Sequence, residues 1–300
     1  MNHSSSKFLR YVVQDINEPS VLPYQKEINE TPENRITSLE ILRRELQSFK
    51  DFEICMDEEF LLRYLRVSKF DTERAIQRVL NYYRKADALI EMYKKVTFPL
   101  QKAESLGHLF ISPYRCQNNS FLVLGNGGIV DYKKFTFAER FYLEILFVHE
   151  IIENPVNQIC GGTYIFDYEG FNIHGFLALT PGWVRTFLDF LLNVFPCRLK
   201  AVHIVNAPSI FSPIWKFGQP FVSKKILTRF FLHTKNDDWE KLHAHISPEI
   251  LPEKYGGKLK QEELINCLED LEEMEKKFRK MLEFGFIKTK KNRQAHKVFH

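Results

Sequence analysis

The segment Phe195–Leu232, FPCRLKAVHIVNAPSIFSPIWKFGQPFVSKKILTRFFL, decides the fold class of this 300-residue chain. Within it, Ala201–Asn206 (AVHIVN) is a nearly continuous apolar run rich in β-branched residues, which predicts a strand buried on both faces. From Ser212 to Phe217, and again from Pro220 to Leu232, apolar residues recur at helical spacing. The segment therefore predicts a buried strand followed by two helices.

The same segment carries charge of one sign only. No Asp or Glu occurs between Asp189 and Asp237, whereas the interval holds seven basic residues: Arg198, Lys200, Lys216, Lys224, Lys225, Arg229 and Lys235. Two interpretations of the second helix remain open. It is either an ordinary amphipathic helix packed on its own core, or a movable apolar flap that covers a cavity and meets a bilayer. A solvated face normally mixes signs, so the missing acids favour the flap.

Strands and helices alternate around this segment. Phe121–Leu124 and Gly162–Asp167 are predicted strands, and Thr180-Pro181 begins a helix that ends before Pro196. A strand, a helix and another strand form the parallel crossover unit. The fold class is therefore α/β, with one mainly parallel sheet.

Helices predominate before Pro99. A capping box at Thr37-x-x-Glu40 predicts the start of the first helix, Asp57 the start of the second, and Asp71 that of a third that runs to about Tyr93. A further capping box, Thr136-x-x-Glu139, predicts a long helix after the first strand. The early helices form a small module in which no residues have catalytic spacing.

Composition excludes several classes of protein. The net charge of +4 is modest, so we expect no nucleic-acid partner. The five cysteines are scattered and never in CxxC spacing, which favours reduced thiols in the cytoplasm over a disulfide framework or a zinc site. No apolar run suits a signal peptide or a membrane span, and no terminal motif predicts a lipid anchor. We therefore expect a cytoplasmic protein whose contact with membranes is peripheral and reversible.

The search for catalytic motifs finds none that is complete. Gly125–Gly128 (GNGG) follows a strand, but the third glycine of a dinucleotide loop would fall on Val130. The pair His243-x-His245 lacks a third metal ligand, so we expect no metal site and no cofactor. Asp167 and Glu169 end a strand as catalytic carboxylates often do, although capping of backbone amides explains them better. We expect no enzymatic activity.

Six segments together resemble the CRAL-TRIO lipid-binding family, within it the subgroup of α-tocopherol transfer protein and cellular retinaldehyde-binding protein. Their order and spacing carry the resemblance over roughly two-thirds of the chain. They are FLLRYLRVSKFD (Phe60–Asp71), IFDYEGF (Ile165–Phe171), LTP (Leu179–Pro181), FPCRLKAVHIVNAPSIF (Phe195–Phe211), QPFVSKKI (Gln219–Ile226) and LPEKYGG (Leu251–Gly257).

The resemblance implies an N-terminal helical module followed by an α/β/α domain, whose mainly parallel sheet floors a hydrophobic cavity closed by a helical gate. The expected divisions are a weakly ordered lead-in at 1–35, the helical module at 36–97, the lipid-binding domain at 98–260, and a C-terminal helix with a basic tail at 261–300. We expect a monomer.

The resemblance also implies a phosphoinositide-binding cluster, which lies on four of the basic residues singled out above: Arg198, Lys200, Lys225 and Arg229. One position departs from the family pattern. Where the tocopherol carrier has a second Arg, this chain has Ser68, with Lys69 beside it. The affinity for headgroups, or the choice among them, is therefore expected to differ.

Ligand contacts are implied in the same way. They comprise Tyr142, Ile145, His149, Phe166, Phe187, Phe190, Leu191, Phe195, Leu199 and Val202, to which the gate helices add Ile210, Phe211, Ile214, Trp215 and Phe217. The gate itself comprises Val222, Ile226, Leu227, Phe230 and Phe231. Ile145 and His149 stand where the tocopherol carrier has small hydroxyl residues, so the cavity shape should differ. We hypothesise that His149 orients a cargo hydroxyl or carbonyl, although a buried core histidine is the ordinary alternative.

The expected function is to carry one retinoid, tocopherol, carotenoid or sterol-like molecule and to exchange it at phosphoinositide-containing membranes. The alternative is a phosphoinositide-binding adaptor without dedicated cargo. In that case a C-terminal helix at about Gln261–Phe284, together with its basic tail, would recruit a protein partner; the tail comprises Lys288, Lys290, Lys291 and Arg293.

Overall fold

The computed structural model describes residues 7–94, 108–178, 180–209, 211–235 and 238–287 of the chain. The helices of these residues are α1 (Leu22–Glu27), α2 (Pro32–Gln47), α3 (Glu58–Val67), α4 (Thr72–Lys94), α5 (Phe137–Ile151), α6 (Pro155–Cys160), α7 (Ile173–Ala178), α8 (Pro181–Asp189), α9 (Phe211–Gly218), α10 (Lys224–Leu227), α11 (Glu240–His243) and α12 (Leu271–Met281). The strands are β1 (Phe52–Glu53), β2 (Leu109–Ile111), β3 (Phe121–Asn126), β4 (Gly162–Asp167), β5 (Leu199–Ala207), β6 (Phe230–Thr234), β7 (Ile265–Asn266) and β8 (Gly285–Phe286).

The larger sheet has the strand order β6-β5-β4-β3-β2-β7. Strands β3 to β6 run parallel, whereas β2 pairs antiparallel with both β3 and β7. The predicted strand Gly162–Asp167 coincides with β4, and the crossover through α8 into parallel β5 is confirmed. The predicted α/β class with a mainly parallel sheet is therefore confirmed.

Both faces of this sheet are covered by apolar side chains. Along β3, Val123 belongs to a large cluster shared with α2 to α5 and α12, whereas Leu122 and Leu124 belong to a smaller cluster shared with residues 242–255. The alternation follows from the pleat, because successive side chains of a strand point to opposite faces. Burial on both faces explains why β3 to β5 consist of nearly continuous apolar runs.

Several predicted helix starts are confirmed by their caps. Thr136 and Glu139 form a reciprocal capping box at the start of α5, and the Asp57 carboxylate accepts the backbone amide protons of Glu59 and Phe60 at the start of α3. The predicted cap at Thr37 is wrong. The α2 helix already begins at Pro32, because Thr31 caps it, and the Thr37 hydroxyl donates to the Glu33 carbonyl inside the helix.

Both ends of the described chain differ from the expectation. The N-terminal end holds more regular structure, and the expected C-terminal helix is shorter and is preceded by a strand. Residues 7–35 include α1, and the side chains of Val21 and Ile28 on either side of it are fully buried. The expected division between residues 35 and 36 falls inside α2. The predicted helix Gln261–Phe284 is wrong in its first half, because Ile265–Asn266 pairs with β2 as an added strand. The basic tail lies outside the described residues.

Candidate functional site

Two adjoining apolar cavities lie between the sheet and the helices α5, α8 and α9, with volumes of about 50 and about 120 Å³. Their linings have five residues in common: Glu144, Phe166, Phe187, Leu191 and Val202. Because they share these walls, we treat them as two lobes of one cavity. The lobes are smaller than the roughly 300–1,000 Å³ of a typical ligand pocket. A larger ligand would therefore have to displace some of the lining side chains.

A turn of π-helix shapes one wall of the cavity. Phe190–Val194 continues α8 with a wider turn, in which the Phe195 amide donates to the Phe190 carbonyl at 2.9 Å. Phe187 and Leu191, four residues apart, line both lobes. Such widened turns are frequent at functional sites. Phe190, a predicted ligand contact, lines neither lobe, and its ring packs against the lining residue Phe141, at 5.3 Å between ring centres.

One buried ion pair interrupts the apolar lining. Glu144 lines both lobes and Arg140 lines the larger one, and the Arg140 Nε atom donates to the Glu144 Oε1 atom at 3.1 Å. Arg140 also donates to the Tyr132 hydroxyl. Burial disfavours the guanidinium charge, but Glu144 and Tyr132 outweigh this and raise the pKa of Arg140 above its ordinary value. The cavity thus offers a fixed charged pair to the polar group of a ligand.

Eight predicted ligand and gate residues line the cavity. They are Phe166, Phe187, Leu191, Phe195, Val202, Phe211, Trp215 and the gate residue Phe230. Leu199 is buried in the adjoining core, and Phe217 is exposed. Ile210, like the side chain of Ile214, lies outside the described part of the chain.

The residues predicted on α5 face away from the cavity, which corrects the expectation for Tyr142, Ile145 and His149. The Tyr142 hydroxyl donates to Glu275 of α12 at 3.1 Å, and the His149 ring packs against Phe278 of α12 with 4.8 Å between ring centres. Ile145 is fully buried in the core. The cavity instead receives Phe141, Glu144, Phe147 and Val148 from this helix. Neither lobe is lined by His149, so its predicted contact with cargo is not supported by the geometry.

The predicted gate helix Pro220–Leu232 is wrong. After a 3₁₀ turn at Gln219–Phe221, an α-helix forms only at α10, where the Ser223 hydroxyl caps it, and the chain then enters β6, which pairs with β5. Phe230 on this strand stacks on Trp215 of α9, with ring centres 4.7 Å apart. Val222 is buried, and Ile226, Leu227 and Phe231 are half-buried. The cavity is therefore bordered by α9 together with an edge strand.

Three of the four predicted headgroup residues lie close to the end of α1. The Arg198 Nη2 atom lies 2.7 Å and the Lys200 Nζ atom 3.3 Å from the Glu27 carboxylate, and Lys69 contacts the same carboxylate at 2.8 Å. Arg229 donates to the Leu199 carbonyl beside them. Lys225 is exposed at the start of α10. The basic cluster, as we call Lys69, Arg198, Lys200 and Arg229, thus surrounds an acidic residue that the sequence analysis did not single out.

This arrangement holds the Glu27 carboxylate in its ionised form. Partial burial by itself would raise its pKa, but the bond from Lys69 and the charges of Arg198 and Lys200 lower it to about 2. Burial and the neighbouring Arg198 guanidinium lower the pKa of Lys200, whereas Glu27 counteracts that effect. The basic cluster is therefore electrostatically suited to an anion.

The Asp167 carboxylate caps the turn at its strand end, as the sequence favoured. This carboxylate accepts the Glu169 amide at 2.9 Å, the Asn206 side-chain amide at 2.8 Å and the Tyr255 hydroxyl at 2.9 Å. Gly128 packs against the same turn, since an added Cβ atom would lie 1.8 Å from the Glu169 carbonyl oxygen. The glycines after β3 therefore permit a close approach of two chain segments.

No metal-binding group is found within the described ranges, where no three His, Cys, Asp or Glu side chains lie close enough together to hold an ion. The His243 ring contacts the Tyr255 carbonyl at 2.8 Å, and the His245 ring packs on Phe231. Among the helices of the described chain, none combines the length and the hydrophobicity that crossing a bilayer requires.

Comparison with known proteins places this chain in a family. A family model described as the CRAL/TRIO domain matches residues 107–257, half of the chain. The chain therefore belongs to the CRAL/TRIO domain family. It is 29% identical over 247 residues to "Alpha-tocopherol transfer protein-like" of Homo sapiens, which covers 82% of this chain and 72% of that protein.

The similarities extend to a second relative and to a solved structure. "Clavesin-2" of Rattus norvegicus is 29% identical over 248 residues, covering 78% of this chain and 72% of that protein. Among solved structures, "Crystal structure of Sfh5" aligns with 83% of this chain and 90% of its own, at 15% identity and a TM-score of 0.45.

Proposed function

We propose that this protein carries one small hydrophobic molecule in the cavity and exchanges it at phosphoinositide-containing membranes. The observation that carries the proposal is an apolar cavity on the sheet, bordered by α9 and the edge strand β6, in a chain of the CRAL/TRIO domain family. A relative named for alpha-tocopherol transfer supports the same class of function. The proposed carrier works in the cytoplasm as a monomer and performs no covalent chemistry.

The lining favours a cargo that is apolar over most of its length and polar at one end. Phe166, Phe187, Leu191 and Val202 would contact the apolar body, and the Arg140–Glu144 pair would contact the polar end. A hydroxyl group can donate to the Glu144 carboxylate, while a carbonyl oxygen can accept from Arg140. Retinoids, tocopherols and sterol-like molecules have this form, whereas an unsubstituted carotenoid would leave the ion pair without a ligand.

For cargo to be exchanged at a membrane, the apolar side chains at the cavity border must be able to contact acyl chains in place of the cargo. Phe217 of α9 and Leu232 of β6 are large apolar residues that are already exposed. In the proposed mechanism the side chains of α9 and β6 that border the cavity exchange contact with cargo for contact with acyl chains. The membrane binds the form with an opened cavity more tightly than the closed form, and this difference in affinity shifts the equilibrium between the two forms toward opening.

Native mass spectrometry combined with organic extraction tests the carrier function. The full-length protein would be purified from cells that were supplied with retinoids, tocopherols, carotenoids and sterols together. We expect one stoichiometric hydrophobic adduct with a polar end group. A protein that emerges empty, or that holds only mixed host phospholipid, would contradict the proposal and favour the adaptor function.

Replacing Leu191 with tryptophan should lower cargo occupancy at least tenfold. Leu191 lines both lobes and is only half-buried, so the larger ring fills the cavity without overpacking the core. Occupancy would be measured by the same extraction, and folding by circular dichroism. The matched control is Ile36→Trp, because Ile36 is exposed on α2. Equal occupancy in the two folded variants would show that this cavity does not hold the cargo.

Reversing two exposed charges on α10, Lys224→Glu with Lys225→Glu, should weaken binding to phosphoinositide vesicles at least tenfold at physiological salt. Each basic residue near an anionic surface contributes about 1 kcal/mol, so removing two has an effect of this size. Cargo occupancy should be unchanged. The control pair Lys276→Glu with Lys280→Glu alters the net charge equally on exposed positions of α12. If both pairs weaken vesicle binding alike, α10 is not the docking surface.

A further inference from the structure

Glu27 occupies the centre of the basic cluster. Its carboxylate contacts three cations from two distant parts of the chain: Lys69 after α3, and Arg198 and Lys200 at the beginning of β5. These contacts of 2.7 to 3.3 Å are charge-assisted, and each uses a donor that an incoming phosphate oxygen would need. An internal anion therefore stands where the proposed function requires a headgroup.

The ion pairs of Glu27 allow its carboxylate to be displaced from the basic cluster. The Glu27 side chain is 39% exposed and that of Lys69 is 42% exposed, so solvent reaches their ion pair. The backbone is held separately, because Ile28, the next residue, is fully buried. A rotation of the Glu27 side chain can thus open the cluster without moving α1.

The cations remain organised when Glu27 is displaced. Arg198, the most buried of the three, also donates to the Ile159 carbonyl, and the Lys200 ammonium lies 5.3 Å from the centre of the Tyr24 ring. Arg198 would therefore keep a hydrogen-bond partner and Lys200 a favourable ring contact. This makes the exchange of one anion for another less costly than breaking a buried ion pair outright.

We propose that Glu27 is an internal competitor that a phosphomonoester displaces from the basic cluster, so that Glu27 sets the minimum charge of the headgroup that binds. The inference rests on the proposed function, whose headgroup site it concerns. A phosphomonoester carries about −1.5 to −2 charges at pH 7 and three acceptor oxygens, against one charge on the carboxylate. A phosphodiester headgroup carries a single phosphate charge, the same as the carboxylate that it would replace, so the exchange gives little additional attraction to the basic cluster. Glu27 therefore selects ring-phosphorylated inositol lipids over phosphatidylserine.

The variant Glu27→Gln tests this selection, because it removes the charge and keeps the size of the side chain. Binding would be measured at physiological salt to phosphatidylcholine vesicles that contain either phosphatidylserine or phosphatidylinositol bisphosphate, and to soluble inositol trisphosphate. The wild-type protein should prefer the bisphosphate vesicles at least tenfold. In the variant, the affinity for phosphatidylserine vesicles should rise at least fivefold. The ratio of the affinities for bisphosphate and phosphatidylserine vesicles should therefore decrease. Glu40→Gln, an exposed position of α2, changes the net charge equally and should leave the preference as it is.

The outcomes separate this inference from the proposed function. If wild-type protein binds bisphosphate vesicles but Glu27→Gln leaves the preference unchanged or weakens both, the inference is overturned and the proposed function stands. If neither protein binds vesicles, yet the variant gains at least fivefold affinity for soluble inositol trisphosphate, the competition is supported for a free phosphate ligand and the membrane role fails. If the variant gains affinity for none of the three, Glu27 is not a competitor.

Discussion

Replacing Arg66 with alanine is expected to lower the free energy of unfolding by about 3–5 kcal/mol, because it leaves a buried carboxylate unpaired. The Arg66 side chain is 1% exposed and that of Glu30 is 5% exposed. The Arg66 Nε and Nη2 atoms both donate to the Glu30 carboxylate, at 3.0 Å and 2.7 Å. Its Nη1 atom donates to Gln158 at 2.6 Å, and Gln158 in turn donates to the Ile152 carbonyl. One guanidinium thereby joins α3 to α6 and to the loop before α2.

Urea unfolding monitored by circular dichroism measures this effect. Arg44→Ala is the matched control, since Arg44 is exposed and its ion pair is with the exposed neighbour Glu45. Such surface pairs contribute at most about 1 kcal/mol. The double variant Arg66→Met with Glu30→Met should recover at least half of the loss, because no buried charge then remains unpaired. A loss under 1 kcal/mol for Arg66→Ala would show that the pair does not hold these elements together.

Sequence patterns were sufficient for the elements whose signals are local. The strand β4 agrees with its prediction at both ends, since its apolar run is bounded by Gly161 and by the turn after Asp167. The α5 and α8 helices begin where Thr136 and Thr180 predicted them, because a capping hydroxyl acts within three residues of its partner. Such interactions join residues that are close in sequence, so they can be predicted from the sequence alone.

Predictions failed where the deciding partner is distant in sequence. Phe230–Thr234 has apolar residues that suit a helix or a strand, and its pairing with β5 decides in favour of the strand. Ile265–Asn266 likewise becomes a strand because β2 offers it an open edge. Local periodicity contains no information about either pairing.

The cavity was predicted more accurately on the strands than on α5. The family resemblance implied Phe166 and Val202 as ligand contacts and both line the cavity, whereas Leu199 of β5, implied in the same way, lies in the adjoining core. The α5 helix is apolar or buried nearly all round, with α12 and α4 on one side and the cavity on the other. Periodicity therefore could not show which face meets the cavity, and the lining residue Glu144 was missed. Glu27 was missed because its partner Arg198 lies 171 residues away.

Lowering the pH from 7.5 to 5.0 is expected to reduce the free energy of unfolding by about 2 kcal/mol for each of His149 and His203. Burial and the nearby Arg63 lower the pKa of His149 to about 3, and burial with His233 and His245 lowers that of His203 to about 3. An unfolded histidine has a pKa near 6.5, so the unfolded chain binds protons that the folded chain does not. The stability that these residues confer is complete above pH 6.5 and is lost progressively toward pH 3.

The variant His149→Leu isolates one of the two contributions. The quantity to compare is the loss of unfolding free energy between pH 7.5 and 5.0, because leucine also changes the packing against Phe195 and Phe278. That loss should be smaller by about 2 kcal/mol in the variant than in the wild-type protein. His174→Leu, which removes an exposed histidine of α7, should leave the loss unchanged. If both variants lose as much stability as the wild-type protein, His149 is not held neutral by burial and the acid sensitivity arises elsewhere.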